Sequence, residues 1–162
     1  MNYAKPSTAA IFSAMLAVSI NAQGAQNLAQ ISSEQSAKIS TALRIKSPDQ
    51  ELNNAVAEAA PTIAAFLKVN SCLRGYNGSS LNVFAAPGKT YDNSNYIGSP
   101  LPLMPHHSKS SCASVARVHG WSMPTKNSIR FEVLYVAEDS GETTKGRYDI
   151  QKQPTGEWLF TR

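Results

Sequence analysis

The sequence predicts an α+β fold, in which a kinked N-terminal helical layer packs on a curled antiparallel meander sheet and one disulfide joins the layers. Three patterns carry that expectation. A capped apolar stripe covers residues 47–67, period-two alternation runs from 113 to 160 between turn residues, and a single cysteine pair, Cys72 and Cys112, lies between the two.

Met1 to Pro6 supplies the terminal amine and Lys5, and the twelve residues Ala9 to Ile20 carry no charge. A positive start, a short apolar run and the small-residue exit Asn21-Ala22-Gln23-Gly24-Ala25 have the pattern of a secretory signal peptide, with cleavage after Gly24 or Ala22. Such a run makes a helix of about 18 Å, against a bilayer core of about 30 Å, so a permanent span is the poorer reading. Residues 1–24 are therefore expected to be removed and the product exported to the periplasm or the medium, without a stable membrane anchor. There the two cysteines meet oxidising conditions, and a pair with no third partner is most simply a disulfide.

Residues 25–46 are rich in Gln, Ser and Ala and have no aromatic residue, which predicts a flexible or frayed-helical arm. One domain follows over 47–162. Ser47-Pro48-Asp49-Gln50 predicts a helix start with Ser47 as cap, Pro48 in the first turn and Gln50 completing a capping box. Leu52, Val56, Ala59, Ala60, Ile63, Phe66 and Leu67 then recur at three- and four-residue steps, the spacing of a stripe buried against a sheet. Pro61 lacks the N–H that would bond residue 57, so a kink or break is expected near Ala60, with a second helix running on towards Cys72.

Residues 75–111 contain Pro87, Pro100, Pro102 and Pro105 among many Gly, Ser and Asn, and only Ser80 to Ala86 resembles a strand. Loop-rich stretches of this length are commonly functional, so a binding surface is expected here, with Tyr91 and Tyr96 as contact residues. Beyond Ala113, strands are expected at about 114–123, 129–138, 143–152 and 157–160. Pro124-Thr125-Lys126-Asn127, Glu138-Asp139-Ser140-Gly141 and Pro154-Thr155-Gly156 supply the reversals. Ile129, Phe131, Val133, Tyr135, Tyr148, Ile150, Trp158 and Phe160 form the inner face, and Arg130, Glu132, Lys145, Arg147, Asp149 and Gln151 the wet one.

This order of elements, with the strands Arg130-Phe131-Glu132-Val133 and Glu157-Trp158-Leu159-Phe160, resembles the cystatin-like and nuclear-transport-factor-like α+β superfolds over residues 47–162. The resemblance implies a sheet curled around helices and a conical pocket used for binding, for assembly or for catalysis. The chain has no Gln-x-Val-x-Gly segment, which argues against protease inhibition, and it lacks the Asp-His or Tyr-Asp acid–base arrangement of catalytic members.

Four patterns remain as candidate chemistry. His106 and His107 are imidazole metal ligands in principle, but adjacent side chains diverge and no Asp, Glu or Cys lies within five residues, so a solvated loop dipeptide is expected. His119 and Trp121 are placed on one face of the first strand, where a core Trp beside a satisfied His is expected and a pocket with a titratable group and an apolar wall is the alternative. Gly120-Trp121-Ser122-Met123-Pro124 lacks the second glycine of a nucleophile elbow. Gly88-Lys89-Thr90 imitates the end of a phosphate loop, yet Val83 stands where the first glycine is needed. A net charge of +4 with scattered cations argues against a nucleic-acid partner, and no cofactor is implied. The expectation is a non-enzymatic exported binding or envelope-assembly module for a protein or a small apolar ligand. A conical-pocket enzyme using His119 and a structural subunit of a periplasmic complex are the alternatives.

Overall fold

The computed structural model describes residues 30–72, 78–91, 100–108 and 111–162. Two helices, α1 (Ser33–Ala42) and α2 (Gln50–Asn70), precede two 3₁₀ turns at Gly78–Phe84 and Leu101–Leu103. Four strands follow: β1 (Ser114–Thr125), β2 (Ser128–Val136), β3 (Thr143–Lys152) and β4 (Trp158–Phe160). The strands form an antiparallel meander in the order β1-β2-β3-β4, open at both edges. The fold is thus α+β, helices on one face of a meander. The expected signal peptide at 1–24 lies outside the described residues.

Within the stretch expected as an arm, α1 is capped by Ser32, whose side chain accepts from the Gln35 N–H at 3.1 Å. Its Ile39 is fully buried, so this helix contributes to the core. The cap of α2 differs from expectation. Asp49, not Ser47, accepts from the Leu52 N–H at 3.1 Å. Ser47 is held outside the helix because the Asn53 carboxamide bonds both its N–H and its carbonyl, each at 2.8 Å.

The expected break at Pro61 does not occur, and α2 runs through it for 21 residues. Pro61 and Ala57 both lie on the exposed face, so the Ala57 carbonyl that loses its helical partner remains open to water. On the opposite side Ile63, Phe66 and Leu67 are fully buried. At about 1.5–3 kcal/mol for each such side chain, that burial outweighs a proline cost of about 3 kcal/mol.

Phe66 is the centre of the helix–sheet contact. Its ring stacks on Phe160 with centroids 4.0 Å apart and meets Tyr148 edge-on at 5.2 Å. Ile129, Phe131, Val133, Tyr135, Tyr148 and Ile150 are fully buried on this face, as their alternation requires. On the other face Arg130 pairs with Asp149 at 2.6 Å and Arg147 with Glu132 at 2.7 Å, each pair directly opposed in the β2–β3 register.

Three register shifts in β1 set twelve residues against the nine of β2. Bulges of this kind bend the bulged strand and increase its twist. The first reversal is tighter than expected, since Thr125 already pairs with Ser128 and Pro124 sits in the edge strand. Ser80–Ala86 is not a strand either: Gly78–Phe84 is a 3₁₀ helix that buries Leu81, and only Ala85 bridges to Phe160. Leu81 and Phe84 are three residues apart, which matches the period of that helix.

Cys72 and Cys112 are disulfide-bonded across a sequence separation of 40. Closing a loop of that length removes unfolded-state freedom worth about 4 kcal/mol. Urea unfolding of the oxidised chain, compared with the same chain in a phosphine reductant, should show a loss of that order. Coincident curves would mean that the cross-link does not constrain the unfolded chain.

Candidate functional site

β4 pairs only with Ile150–Lys152 of β3, so the first half of β3 has β2 on one side and, among the described residues, no strand on the other. A cleft of about 400 Å³ opens along that free edge. Thr144–Tyr148 of β3, Lys89–Tyr91, Pro100, Leu103 and the Thr161–Arg162 segment line it.

The inner wall of the cleft is built by tyrosines. Asn70, the last residue of α2, donates through Nδ2 to the hydroxyls of Tyr135 at 3.2 Å and Tyr148 at 2.9 Å, and those hydroxyls are 2.9 Å from each other. All three side chains are fully buried. Burial raises the Tyr135 phenol far above its ordinary range against the opposing effect of these hydrogen bonds, which keeps it neutral. Gly146 makes the arrangement possible, because a Cβ there would lie 2.4 Å from the Tyr148 hydroxyl oxygen.

Tyr91 is also buried, with its ring 6.0 Å from Phe66 and its N–H donating to Asn82 Oδ1 at 2.6 Å. Burial raises this phenol as well. Its hydroxyl has no hydrogen-bond partner among the described residues. Lys89, Lys145 and Arg147 border the cleft, and no Asp or Glu is among its described lining residues. Arg147 is paired to Glu132, whereas Lys89 and Lys145 make no ion pair among the described residues.

A second polar cluster joins the 100–108 segment to the β2–β3 turn, and buried His107 departs in it from the expected solvated dipeptide, while the His106 side chain stays 82% exposed. His106 Nδ1 lies 2.8 Å from Glu142 Oε1, while the His106 N–H donates to Glu142 Oε2 at 3.0 Å. His107 Nδ1 lies 2.5 Å from Asp139 Oδ1, and the Ser108 N–H donates to Asp139 Oδ2 at 2.6 Å. The His107 side chain is only 4% exposed. Each imidazole thus meets its own carboxylate, and the described residues contain no group of three or more His, Cys, Asp or Glu suited to a metal.

The cluster holds its carboxylates ionised. The His107 ring and the Ser108 N–H lower the Asp139 carboxyl below its ordinary value, with the His107 bond the largest cause. For Glu142 desolvation is the largest single influence and pulls upward, yet the bonds from His106 and Ser140 together outweigh it and the net shift is downward.

Other expected site residues lie elsewhere. The expectation that His119 and Trp121 share a face is corrected by the bulge at Gly120, whose φ of +66° inserts an extra residue between them. His119 opposes Glu132 on the wet face. Trp121 turns inward and stacks on Phe131 at 4.8 Å. Neither lines the cleft beside β3. Tyr96 lies outside the described residues. No protein-family model, curated protein or solved structure matches the chain.

A search for acidic partners close in sequence to His106 and His107 misses Asp139 and Glu142, which lie 32 and 36 positions away. The one available signal was the spacing of those acids at the two ends of a four-residue turn. Lys145 and Arg147 were read as a wet charged face, which they share with the border of the cleft because the adjoining strand β4 is short.

Two outcomes follow from this geometry. Gly146→Ala drives a methyl group into the fixed Tyr148 hydroxyl and should cost about 1–3 kcal/mol in urea unfolding; a neutral substitution would show the ring free to move. Since the Asp139 carboxyl is depressed in the folded state, its contribution is present above the ordinary carboxylate value and is lost as pH falls through the lower folded value. The Ser108 and Ser140 amide resonances should therefore titrate together with a midpoint below about 4, and a midpoint above it would contradict the clamp.

Proposed function

We propose that the protein is an exported binding module whose cleft beside β3 takes a small ligand with an anionic head and an apolar body. In this reading the open, curled sheet over helices serves as it does in the cystatin-like and nuclear-transport-factor-like superfolds, as a frame for a concave site. The observation that carries the proposal is the composition of the cleft: cations on its border, tyrosines on its inner wall and no acidic side chain among its described residues.

Among the described residues neither Lys89 nor Lys145 is held in an ion pair, so a ligand carboxylate, phosphate or sulfonate gains their attraction without breaking one there. The Tyr91 hydroxyl, buried and without a partner among the described residues, lies in the wall where a ligand acceptor would satisfy it. Leu103, 62% exposed, and Pro100 provide apolar contact for the body. A volume of about 400 Å³ lies within the range of small-molecule sites. Export is in keeping with the disulfide and with the finding that, among the described residues, no helix is long and apolar enough to cross a membrane.

The test uses two fluorescent probes of similar aromatic body, anionic 8-anilinonaphthalene-1-sulfonate and neutral N-phenyl-1-naphthylamine. The anionic probe should bind more tightly and lose affinity with rising salt. A Lys89→Ala/Lys145→Ala double variant should weaken it about tenfold, and Tyr91→Phe about fivefold. Equal affinity for both probes, or no effect of the lysine substitutions in a folded variant, would overturn the assignment.

A further inference from the structure

On the side of the molecule where the disulfide and the β2–β3 turn meet, a separate concavity of about 500 Å³ contains His107, Ser111, Cys112, Glu138 and Asp139. It shares no lining residue with the cleft beside β3. We propose that Ser111, His107 and Asp139 form a nucleophile–base relay that transfers acyl groups from small neutral or cationic esters.

His107 turns Nδ1 to Asp139 Oδ1 at 2.5 Å and Nε2 to Ser111 Oγ at 3.4 Å. One ring nitrogen is therefore held by a carboxylate while the other faces a hydroxyl, which is the arrangement a hydroxyl nucleophile needs for activation. A contact of 3.4 Å is long for an O–H···N bond, and such contacts tighten when substrate seats.

Asp139 is a positioning residue and is itself fixed. Oδ2 accepts from the Ser108 N–H at 2.6 Å and Oδ1 from the Ser140 N–H at 2.9 Å. The His107 side chain is 96% removed from solvent, so its tautomer and orientation are set by Asp139 and not by water. Ser111 is only partly buried. Cys112, the next residue, is tied to the end of α2 by the disulfide, which restrains the serine relative to the imidazole.

The chemistry balances with water as the co-reactant. Ser111 Oγ bonds to the acyl carbon as its proton passes to His107 Nε2, and the ester C–O bond breaks as that proton moves to the departing alkoxide. Water then gives a proton to Nε2 and its oxygen to the acyl carbon, the acyl–Oγ bond breaks, and the Nε2 proton returns to Ser111 Oγ, releasing the acid and restoring the serine. Asp139 stabilises the imidazolium in both steps. The concavity has Glu138 and Asp139 on its lining and no Lys or Arg among the described residues, so anionic substrates are repelled and neutral or cationic acyl donors are admitted.

The test treats the oxidised full chain with a fluorophosphonate, whose phosphorus accepts Ser Oγ as fluoride leaves, and maps the adduct by mass spectrometry. p-Nitrophenyl acetate hydrolysis is followed in parallel; its good leaving group makes the rate depend on the nucleophile and its base. The expected result is one adduct on Ser111, lost in Ser111→Ala and formed about a hundredfold more slowly in His107→Gln. Asp139→Asn should slow labelling and change its pH profile, with recovery in Asp139→Glu. Absence of a Ser111 adduct on the wild-type chain would overturn the relay, whatever the variants do. So would an adduct formed at an unchanged rate in folded His107→Gln.

Discussion

Where α2 ends, Cys72 is bonded to Cys112, and one residue further along each strand of the junction the Ala113 N–H donates to the Ser71 carbonyl at 2.9 Å. The end of the long helix and the start of the first sheet strand are therefore tied together here. Asn70 lies two residues before that point and Ser114, the first residue of β1, two residues after it. The intervening segment leaves the helix and returns to the same place, so its ends need no further ordering once the cross-link has formed. Both concave sites depend on this. Lys89–Tyr91, Pro100 and Leu103 of the segment wall the cleft beside β3, and His107, Ser111 and Cys112 line the cavity at the disulfide.

The two sites differ in charge for a reason that lies in strand length. β4 stops after three residues, which leaves the side of β3 carrying Thr144–Tyr148 uncovered and brings Lys145 and Arg147 to its rim. Just before β3 begins, the β2–β3 turn presents Asp139 and Glu142, and the segment carrying His106 and His107 docks on it. Opposite charges thus collect at separate surfaces of a small domain, each against the same loop-rich connection. Inside, Asn70 and the hydroxyls of Tyr135 and Tyr148 bond one another where water has no access. Such a network resists displacement because any broken bond leaves a buried polar group without a partner.

The meander was legible from alternation alone, because Ile129, Phe131, Val133, Tyr135, Tyr148 and Ile150 mark one face as apolar and the opposed pairs Arg130–Asp149 and Glu132–Arg147 mark the other. The disulfide was legible because there were only two cysteines to join. Bulges were not. Nothing in the composition of β1 distinguishes Gly120 as an inserted residue, and a strict period of two places His119 beside Trp121, whereas the bulge sends one to Glu132 and the other to Phe131. Nor was the passage of α2 through Pro61, since the local cost of a missing hydrogen bond was visible in sequence and the burial of Ile63, Phe66 and Leu67 that offsets it was not.

By itself the amino-acid sequence determined the class of fold, the order of its elements and the inward-facing residues, because periodicity and turn chemistry act over a few neighbouring positions. Only the tertiary structure decided which side chains share a site. Tyr91 and Lys145 line one cleft along a free strand edge, and His107 meets Asp139 of a turn 32 residues away. Those meetings follow from where one short strand ends and where one cross-link returns the chain, and neither distance is encoded in any local pattern.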